Sequence, residues 1–379
     1  MGNNEIDRNL NKRIDTLFGK ISSLIETARQ KVASTVNIVM VYANYETGRY
    51  IIDDEQQGAY RAEYGKEILK KLSYRLTDKY GKGYSVDNLE NMRKFYLVYS
   101  KSETAFRELS IYKTFTENQH SKIDIKKSET ASRISKMDFT LSWSHYLILM
   151  RIENSDERNF YEIECIQQQW SVRQLSRQIG SSLYERLALS RDKNEVMRLA
   201  HEGQTIEKPS DIIKNPFALE FLGLQPESIY TENKLENAII NKLQDFLLEL
   251  GKGFLFESRQ RRFTFNEQHF FVDLVFYNRL LQCYVLIDLK IDKLTHQDLG
   301  QIQMYVNYFD RYVKQEFEKP TIGILLCQEK NDALVELTLP KDANIYATEY
   351  ALYLPKKQLL QAKLKEWVEE YKDNKDESL

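Results

Sequence analysis

The chain has 379 residues, of which 42% are hydrophobic and 29% are charged, a composition typical of globular proteins and not of disordered chains. No apolar segment approaches the roughly 20 residues that a membrane-spanning helix requires, so we expect no membrane span. The first residues lack the basic and then apolar order of a secretory signal. Cys165, Cys283 and Cys327 are odd in number and far apart, which predicts reduced thiols and a cytoplasmic location.

The charges are distributed unevenly along the chain. Residues 1–200 contain 32 Lys and Arg against 27 Asp and Glu, whereas residues 201–379 contain 22 against 29. A basic first part beside an acidic second part fits a module that holds nucleic acid next to a carboxylate-rich site. Ordinary helical domains also carry an excess of this size, so charge alone does not identify the function.

The distribution of proline indicates two domains. All six prolines follow residue 208, and the apolar residues before that point recur mostly with helical spacing. We therefore predict a helical domain for DNA binding or assembly over residues 1–204, a connector over 205–230 and a second domain over 231–379. Residues 100–137 are polar and repeat the sequence Lys-Ser-Glu-Thr-Ala, which indicates a mobile surface insertion.

Two segments of the first domain resemble DNA-reading helices. A helical stretch over residues 66–80 is followed by a glycine-containing turn and a second helix that Ser85 is placed to cap, the outline of a helix-turn-helix. Ser171 is placed to cap another helix, and that helix displays side chains suited to phosphates and base edges: Arg173, Gln174 and Arg177. An ordinary helical bundle with solvated charged faces would have the same pattern.

The second domain changes to alternating helix and strand patterns. Residues 232–250 have the spacing of an amphipathic helix, and three strand-like runs follow, over residues 254–264, 270–277 and 282–289. The remaining pattern predicts, in chain order, a helix over 297–317, a strand over 321–327, a helix near Ala333, a strand over 345–349 and a charged terminal helix. This order predicts a mixed sheet flanked by helices.

A group of charged residues ends two of these strands. Asp273 interrupts an apolar strand, and Asp288 and Lys290, separated by one leucine, end its partner strand. Strand alternation places Asp288 and Lys290 on one face, and a short hairpin brings Asp273 beside them. Carboxylate oxygens bind hard cations such as Mg²⁺, and a bound cation eases phosphodiester hydrolysis. A strand-end ion pair is the alternative, but a carboxylate among large apolar residues is costly without a compensating purpose.

Flanking residues extend this group. Glu236 lies in the preceding helix, and Gln301 and Tyr305 lie one turn apart on one face of the following helix. In α-β-β-β-α order the whole set resembles the PD-(D/E)xK nuclease superfamily, and the Gln301–Tyr305 pair resembles the motif of its RecB-like branch. Residues 232–311 are similar to the bacterial YhcG-like family of DUF1016 type. Val272 stands where the superfamily motif has proline.

The resemblance carries expectations for fold and chemistry. It implies an N-terminal, mostly helical domain of winged-helix-like type and a C-terminal α/β domain that is restriction-endonuclease-like. It also implies that Asp273 and Asp288 bind Mg²⁺, for which Mn²⁺ substitutes, and that Glu236 is a supporting acid. Lys290 would orient the attacking water or stabilise the transition state, with Gln301 and Tyr305 as auxiliary residues.

The function that follows from the resemblance is a metal-dependent nuclease, and a DNA endonuclease in particular. The alternative is a catalytically silent nuclease fold that acts as a nucleic-acid-binding or assembly module. The sequence does not distinguish DNA from RNA as the substrate, and it leaves open whether the chain forms a homo-oligomer.

Overall fold

The computed structural model describes residues 38–54, 62–100, 139–190, 193–224, 230–340, 342–354 and 356–365. They belong to two compact units, Met1–Glu153 and Asn154–Leu379. The predicted insertion over residues 100–137 lies, apart from its first residue, outside the described ranges. Within those ranges no helix is both long and apolar enough to cross a membrane.

The first unit is helical in its described part. Its elements are α1 (38–54), α2 (Ala62–Tyr80), α3 (Val86–Ser100) and α4 (Trp143–Leu149). Aromatic rings fill its core around the fully buried Phe95, which contacts the rings of Tyr45, Phe139, Trp143 and Tyr146. The predicted mainly helical character of this part of the chain is therefore confirmed.

The turn between α2 and α3 has the predicted chemistry. Gly81 and Gly83 have φ values of 83° and 123°, a left-handed region that glycine enters without a steric penalty. Ser85 Oγ accepts a hydrogen bond from the backbone N–H of Asn88 at 3.2 Å, which satisfies one free donor at the start of α3. These two observations explain why one helix ends and the next begins here.

The second unit begins with four helices and continues into an α/β fold. The helices are α5 (Ser155–Gln168), α6 (Val172–Gly180), α7 (Leu183–Leu189) and α8 (Lys193–Glu202). The elements after them are β1 (Phe217–Ala218), α9 (Glu232–Asn241), α10 (Leu243–Leu250), β2 (Phe254–Phe265), β3 (Gln268–Asn278), β4 (Cys283–Leu289), α11 (His296–Tyr312), β5 (Ile322–Cys327), α12 (Asp332–Thr338), β6 (Ile345–Ala351) and α13 (357–365).

A mixed six-stranded sheet organises this unit, in the order β1-β6-β5-β4-β3-β2. Strands β2, β3 and β4 pair antiparallel, and β4, β5, β6 and β1 pair parallel. Separate apolar clusters pack on its faces, one around Phe246 of α10 and Phe276 of β3, the other around Leu299 and Phe309 of α11. The predicted mixed sheet flanked by helices is therefore confirmed.

Two details differ from the sequence prediction. The helix expected over residues 232–250 is divided into α9 and α10 at Lys242, whose φ and ψ of −119° and 31° are not helical. The predicted connector contains β1, which pairs with β6 through Phe217 and Ala218. Two apolar residues carry no strand periodicity, so only the tertiary pairing identifies this strand.

A buried ion-pair network joins helices α6 and α7 to α10 and β1. Glu249 of α10 is fully buried and contacts Arg186 Nη1 of α7 at 2.5 Å and Arg177 Nη1 of α6 at 3.1 Å. It also accepts a hydrogen bond from the backbone N–H of Ala218 in β1 at 3.0 Å. Burial alone would raise the pKa of Glu249, but Arg186, Lys214 and Arg177 outweigh it and hold this pKa at about 2.

This network bears on the domain division. Residues 154–204 were predicted to belong to the first domain. In the structure the ion pairs of Arg177 and Arg186 connect this segment to the rest of the second unit, which begins at Asn154. The long sequence separation between Arg186 and Glu249 hides this contact from any local pattern. The second compact unit therefore begins ahead of the predicted connector, and the domain division at residues 205–230 stays a prediction.

One member of this network was predicted to contact nucleic acid. Arg177 donates to the Ala218 carbonyl at 3.1 Å, and its Nε lies 3.2 Å from Glu220 Oε1. Binding a phosphate with Arg177 would break these contacts, so Arg177 acts as a structural residue in this fold. Arg173 and Gln174 lie exposed on the same helix, and Gln174 completes the capping box with Ser171.

Arg177→Ala should lower the free energy of unfolding by about 2 kcal/mol, because it removes one partner of the buried Glu249. Arg173→Ala, one helical turn away on the exposed face, should change it by less than about 0.5 kcal/mol. Urea unfolding of the full chain followed by circular dichroism measures both. Equal effects of the two substitutions would contradict a structural role for Arg177.

Candidate active site

Two carboxylates meet where β3 and β4 pair. The last pair in the β3–β4 register is Leu274 with Ile287, so the next opposing positions along the same antiparallel register are Asp273 and Asp288. The backbone N–H of Leu289 donates to Asp273 Oδ2 at 2.9 Å. The hairpin therefore brings Asp273 to the end of the Asp288–Lys290 strand, as its length predicted.

Lys290 forms the cationic part of the site. Its Nζ lies 2.8 Å from Asp288 Oδ2, and Asp288 itself is 1% exposed. The same Nζ lies 3.8 Å from Glu232 Oε1 and 4.0 Å from Asp298 Oδ1. Leu289 packs into the core on the opposite face, so the predicted alternation along this strand is confirmed.

A bridging amide, Gln260, was not predicted from the sequence. Gln260 Nε2 lies 3.0 Å from Asp273 Oδ1 and 2.5 Å from Glu236 Oε2. Its φ of 47° is unusual for a residue with a side chain, and such backbone strain is found preferentially at functional sites. Arg261 is opposite Val272 in the β2–β3 register, which places Gln260 opposite Asp273. Because this register is not encoded in a local pattern, no sequence signal could have identified Gln260 as a site residue.

Glu236 occupies a buried position beside this amide. The residue is 4% exposed. Within the described part of the chain its Oε1 accepts no hydrogen bond, and Arg259 Nε lies 3.4 Å away in an ion pair. Burial raises the pKa of Glu236, and the carboxylate of Asp273 adds to that effect. Helix α9 thus supplies a third acidic side chain, at the place expected for a supporting acid.

Gln301 and Tyr305 lie one turn apart on α11, as predicted. Gln301 Nε2 donates to the Tyr305 hydroxyl at 2.5 Å, and Tyr305 is 2% exposed. Burial raises the pKa of Tyr305, and the negative charges of Asp288 and Asp273 raise it further. The pair therefore lies within electrostatic reach of both carboxylates. Asp292 and His296, near the same end of this helix, are exposed.

The carboxylates are crowded together in a poorly hydrated place. Burial and then the neighbouring Asp273 raise the pKa of Asp288 to about 7. Burial also raises the pKa of Asp273. For Lys290, burial favours the neutral amine, but Asp288 more than offsets it and the pKa lies above its usual value. A second positive charge between the aspartates would relieve this repulsion.

The donor set fits a hard cation that retains water. No group of three or more His, Cys, Asp and Glu side chains is arranged to hold a metal in the described part of the chain. Mg²⁺, however, is commonly bound through only one or two carboxylates, with water and substrate phosphates completing its shell. Asp273 and Asp288 are the residues that could hold it, and Glu236 Oε1, buried and ion-paired with Arg259 at 3.4 Å, is an additional acceptor.

The core has α-β-β-β-α order and carries two facing aspartates, and a lysine stands two residues after the second of them. These features define a PD-(D/E)xK-type nuclease domain. The family described as the YhcG PDDEXK nuclease domain matches residues 210–365. The family described as the DUF1016 N-terminal domain matches residues 20–186.

The particular family follows from a full-length relative. The chain is 38% identical over 343 residues to a protein of Escherichia coli (strain K12) that is named "Putative nuclease YhcG", and the match spans 88% of this chain and 89% of that protein. The chain belongs to the YhcG family. The family resemblance and the combination of a helical N-terminal region with a restriction-endonuclease-like C-terminal domain are therefore confirmed.

Two solved structures show a partial likeness to this chain. They are described as "crystal structure of a repair endonuclease from Pyrococcus abyssi" and "Structure of EndoMS-dsDNA2 complex". Each is 16% identical, and the overlaps cover 34% and 35% of this chain and 50% of each of those chains, with TM-scores of 0.23 and 0.24. The fold assignment rests instead on the sheet topology and the family match.

Asp288→Asn should raise the unfolding temperature of the metal-free protein more at pH 8 than at pH 5. The folded pKa of about 7 lies above the unfolded value of about 3.9. The wild type therefore loses stability as the pH rises through this interval, because the buried carboxyl must ionise. Thermal unfolding in EDTA at both pH values, with the exposed Asp292→Asn as control, measures the effect. An equal gain at pH 5 and pH 8 would contradict the raised pKa of Asp288.

Proposed function

We propose that this protein is a Mg²⁺-dependent endonuclease that hydrolyses phosphodiester bonds of DNA at the site formed by Asp273, Asp288 and Lys290. One observation carries the proposal: half-buried Asp273 and buried Asp288 oppose each other across paired strands, with Lys290 Nζ 2.8 Å from Asp288. Holding two carboxylates this close together lowers the stability of the fold. The same carboxylates are suited to bind a cation that a phosphodiester substrate would also coordinate.

Each residue has a separate part in the proposed reaction. Asp273 and Asp288 would hold Mg²⁺, for which Mn²⁺ would substitute, and the bound ion would activate water and neutralise charge on the phosphate. The Leu289 N–H fixes one oxygen of Asp273. Lys290 would donate hydrogen bonds to the attacking water or to the phosphate oxygens as negative charge builds there. Glu236, bridged to Asp273 by Gln260, would hold a proton near the site.

Nucleic acid is the proposed partner of other described residues as well. Arg173 and Gln174 are exposed on α6, and α2 and α3 have a serine-capped helix-turn-helix outline. These side chains and elements suit contacts to the DNA backbone and base edges. Arg177 is not included among these proposed contacts, because its guanidinium forms ion pairs with Glu249 and Glu220.

We propose the cytoplasm as the place of action. Cys165, Cys283 and Cys327 are free and buried, and burial raises the pKa of Cys165 and of Cys283 to about 12. Protonated, enclosed thiols suit a reducing compartment and take no part in the proposed chemistry.

Asp273→Asn and Asp288→Asn should each abolish DNA cleavage in Mg²⁺, because each removes a charged ligand. Lys290→Ala should retain DNA and metal binding and lose at least about two orders of magnitude in rate. Gel assays on supercoiled and linear duplexes measure the rates, with Asp292→Asn as the control that removes the same charge at an exposed position nearby.

Unchanged cleavage by pure Asp288→Asn protein would exclude this mechanism. A wild type that binds DNA but fails to cut it with Mg²⁺ or Mn²⁺ would support the alternative, a catalytically silent nucleic-acid-binding module. Parallel incubations with single-stranded DNA and RNA test the choice of substrate.

A further inference from the structure

A two-stranded arm extends from the site. Strands β2 and β3 remain paired from Arg261 opposite Val272 to Phe265 opposite Gln268, beyond the last β3–β4 pair at Leu274. We call residues 261–272 the β2–β3 arm. Its base adjoins Gln260 and Asp273, so the arm begins at the proposed reaction centre. At about 3.3 Å per residue, residues 261–265 span about 13 Å, the length of about four base pairs.

Aromatic stacking fixes the arm to α11. The ring of Phe263 stacks on Tyr308 with centroids 4.0 Å apart and an interplanar angle of 20°. It also stacks on Phe270 at 5.3 Å and meets the edge of Tyr305 at 5.5 Å. The helix that carries Gln301 and Tyr305 therefore holds the arm in place. A fixed arm loses little conformational entropy when it binds a partner.

Three polar side chains form a cluster on the arm. Arg262 Nη2 lies 2.9 Å from His269 Nε2, and Thr264 Oγ1 lies 2.9 Å from His269 Nδ1. All three residues are exposed. Their mutual contacts place them on one face, which we call the arm's polar face.

Arg262 differs from the other arginines of this strand. Arg259 pairs with Glu236 and Arg261 pairs with Glu257, whereas no carboxylate of the described residues lies within ion-pair distance of Arg262. The arm itself contains one acidic residue, Glu267 at the turn. The surrounding residues 201–379 carry more acidic than basic side chains. An exposed, unneutralised guanidinium in this setting suits an anionic partner.

We propose that the arm's polar face binds the sugar–phosphate backbone of duplex DNA beside the scissile phosphate, with Arg262 as the main contact. This inference rests on the proposed function and names how the substrate is held. A guanidinium binds phosphate through paired hydrogen bonds, and hydroxyl and imidazole groups add further donors. His269 orients the guanidinium of Arg262 before DNA arrives. The contact is independent of base sequence, because it reaches only the backbone.

The test is duplex binding by the full chain in EDTA, followed by fluorescence anisotropy at several salt concentrations. Arg262→Ala should weaken binding about five- to tenfold near 0.1 M salt and reduce the slope of log K against log salt by about 0.9, the value for one lost phosphate contact. Arg279→Ala is the matched control, because Arg279 is exposed just beyond the other end of β3. It should leave the affinity and the slope unchanged.

Cleavage kinetics provide a second readout. Arg262→Ala should raise KM for DNA and leave kcat at saturating DNA unchanged, because Arg262 holds substrate and does not touch the reacting atoms. A variant that binds DNA with wild-type affinity and slope would overturn the inference while leaving the proposed function intact, and so would a loss confined to kcat. A wild type that neither binds nor cuts duplex DNA would overturn both.

Discussion

Mutual repulsion between Asp273 and Asp288 is the constraint on which the rest of the site depends. The β3–β4 register sets them opposite each other, and the burial of Asp288 removes water that would screen the charges. Lys290 offsets part of the repulsion and Gln260 ties Asp273 to Glu236, yet the pKa of Asp288 still rises to about 7. Holding such acids together lowers the stability of the fold, and destabilised acid groups of this kind cluster at functional sites.

The structure around the site keeps these groups in place. Antiparallel strands carry the two aspartates, a parallel strand supports β4 from the other side, and α11 closes one face through Phe309 and Leu299. Further away, buried Glu249 ties α6 and α7 to α10 and β1. Removing one member of that network would leave an uncompensated buried charge. The helices ahead of the sheet therefore belong to the structural support of the nuclease domain.

Sequence reasoning was most successful where a pattern is local. Strand alternation predicted that Asp288 and Lys290 share a face, and serine and glycine predicted the caps and turn of α3 and α6. It did not predict interactions between residues far apart in the sequence. Examples are the position of Gln260 opposite Asp273 and the ion pair between Arg177 and Glu249. An exposed arginine and a buried one look alike in sequence. Their roles are decided by tertiary contacts, which no periodicity encodes.

Direct measurement of cation binding is the most decisive experiment. Titration of Mn²⁺ into the metal-free full chain at pH 8, followed by calorimetry, should give saturable binding. Asp288→Ala should weaken it at least about tenfold, because one of two charged ligands is lost, while the exposed Asp292→Ala should bind as the wild type does. Equal Mn²⁺ affinity in the wild type and in Asp288→Ala would contradict the assignment of Asp273 and Asp288 as the metal-binding pair.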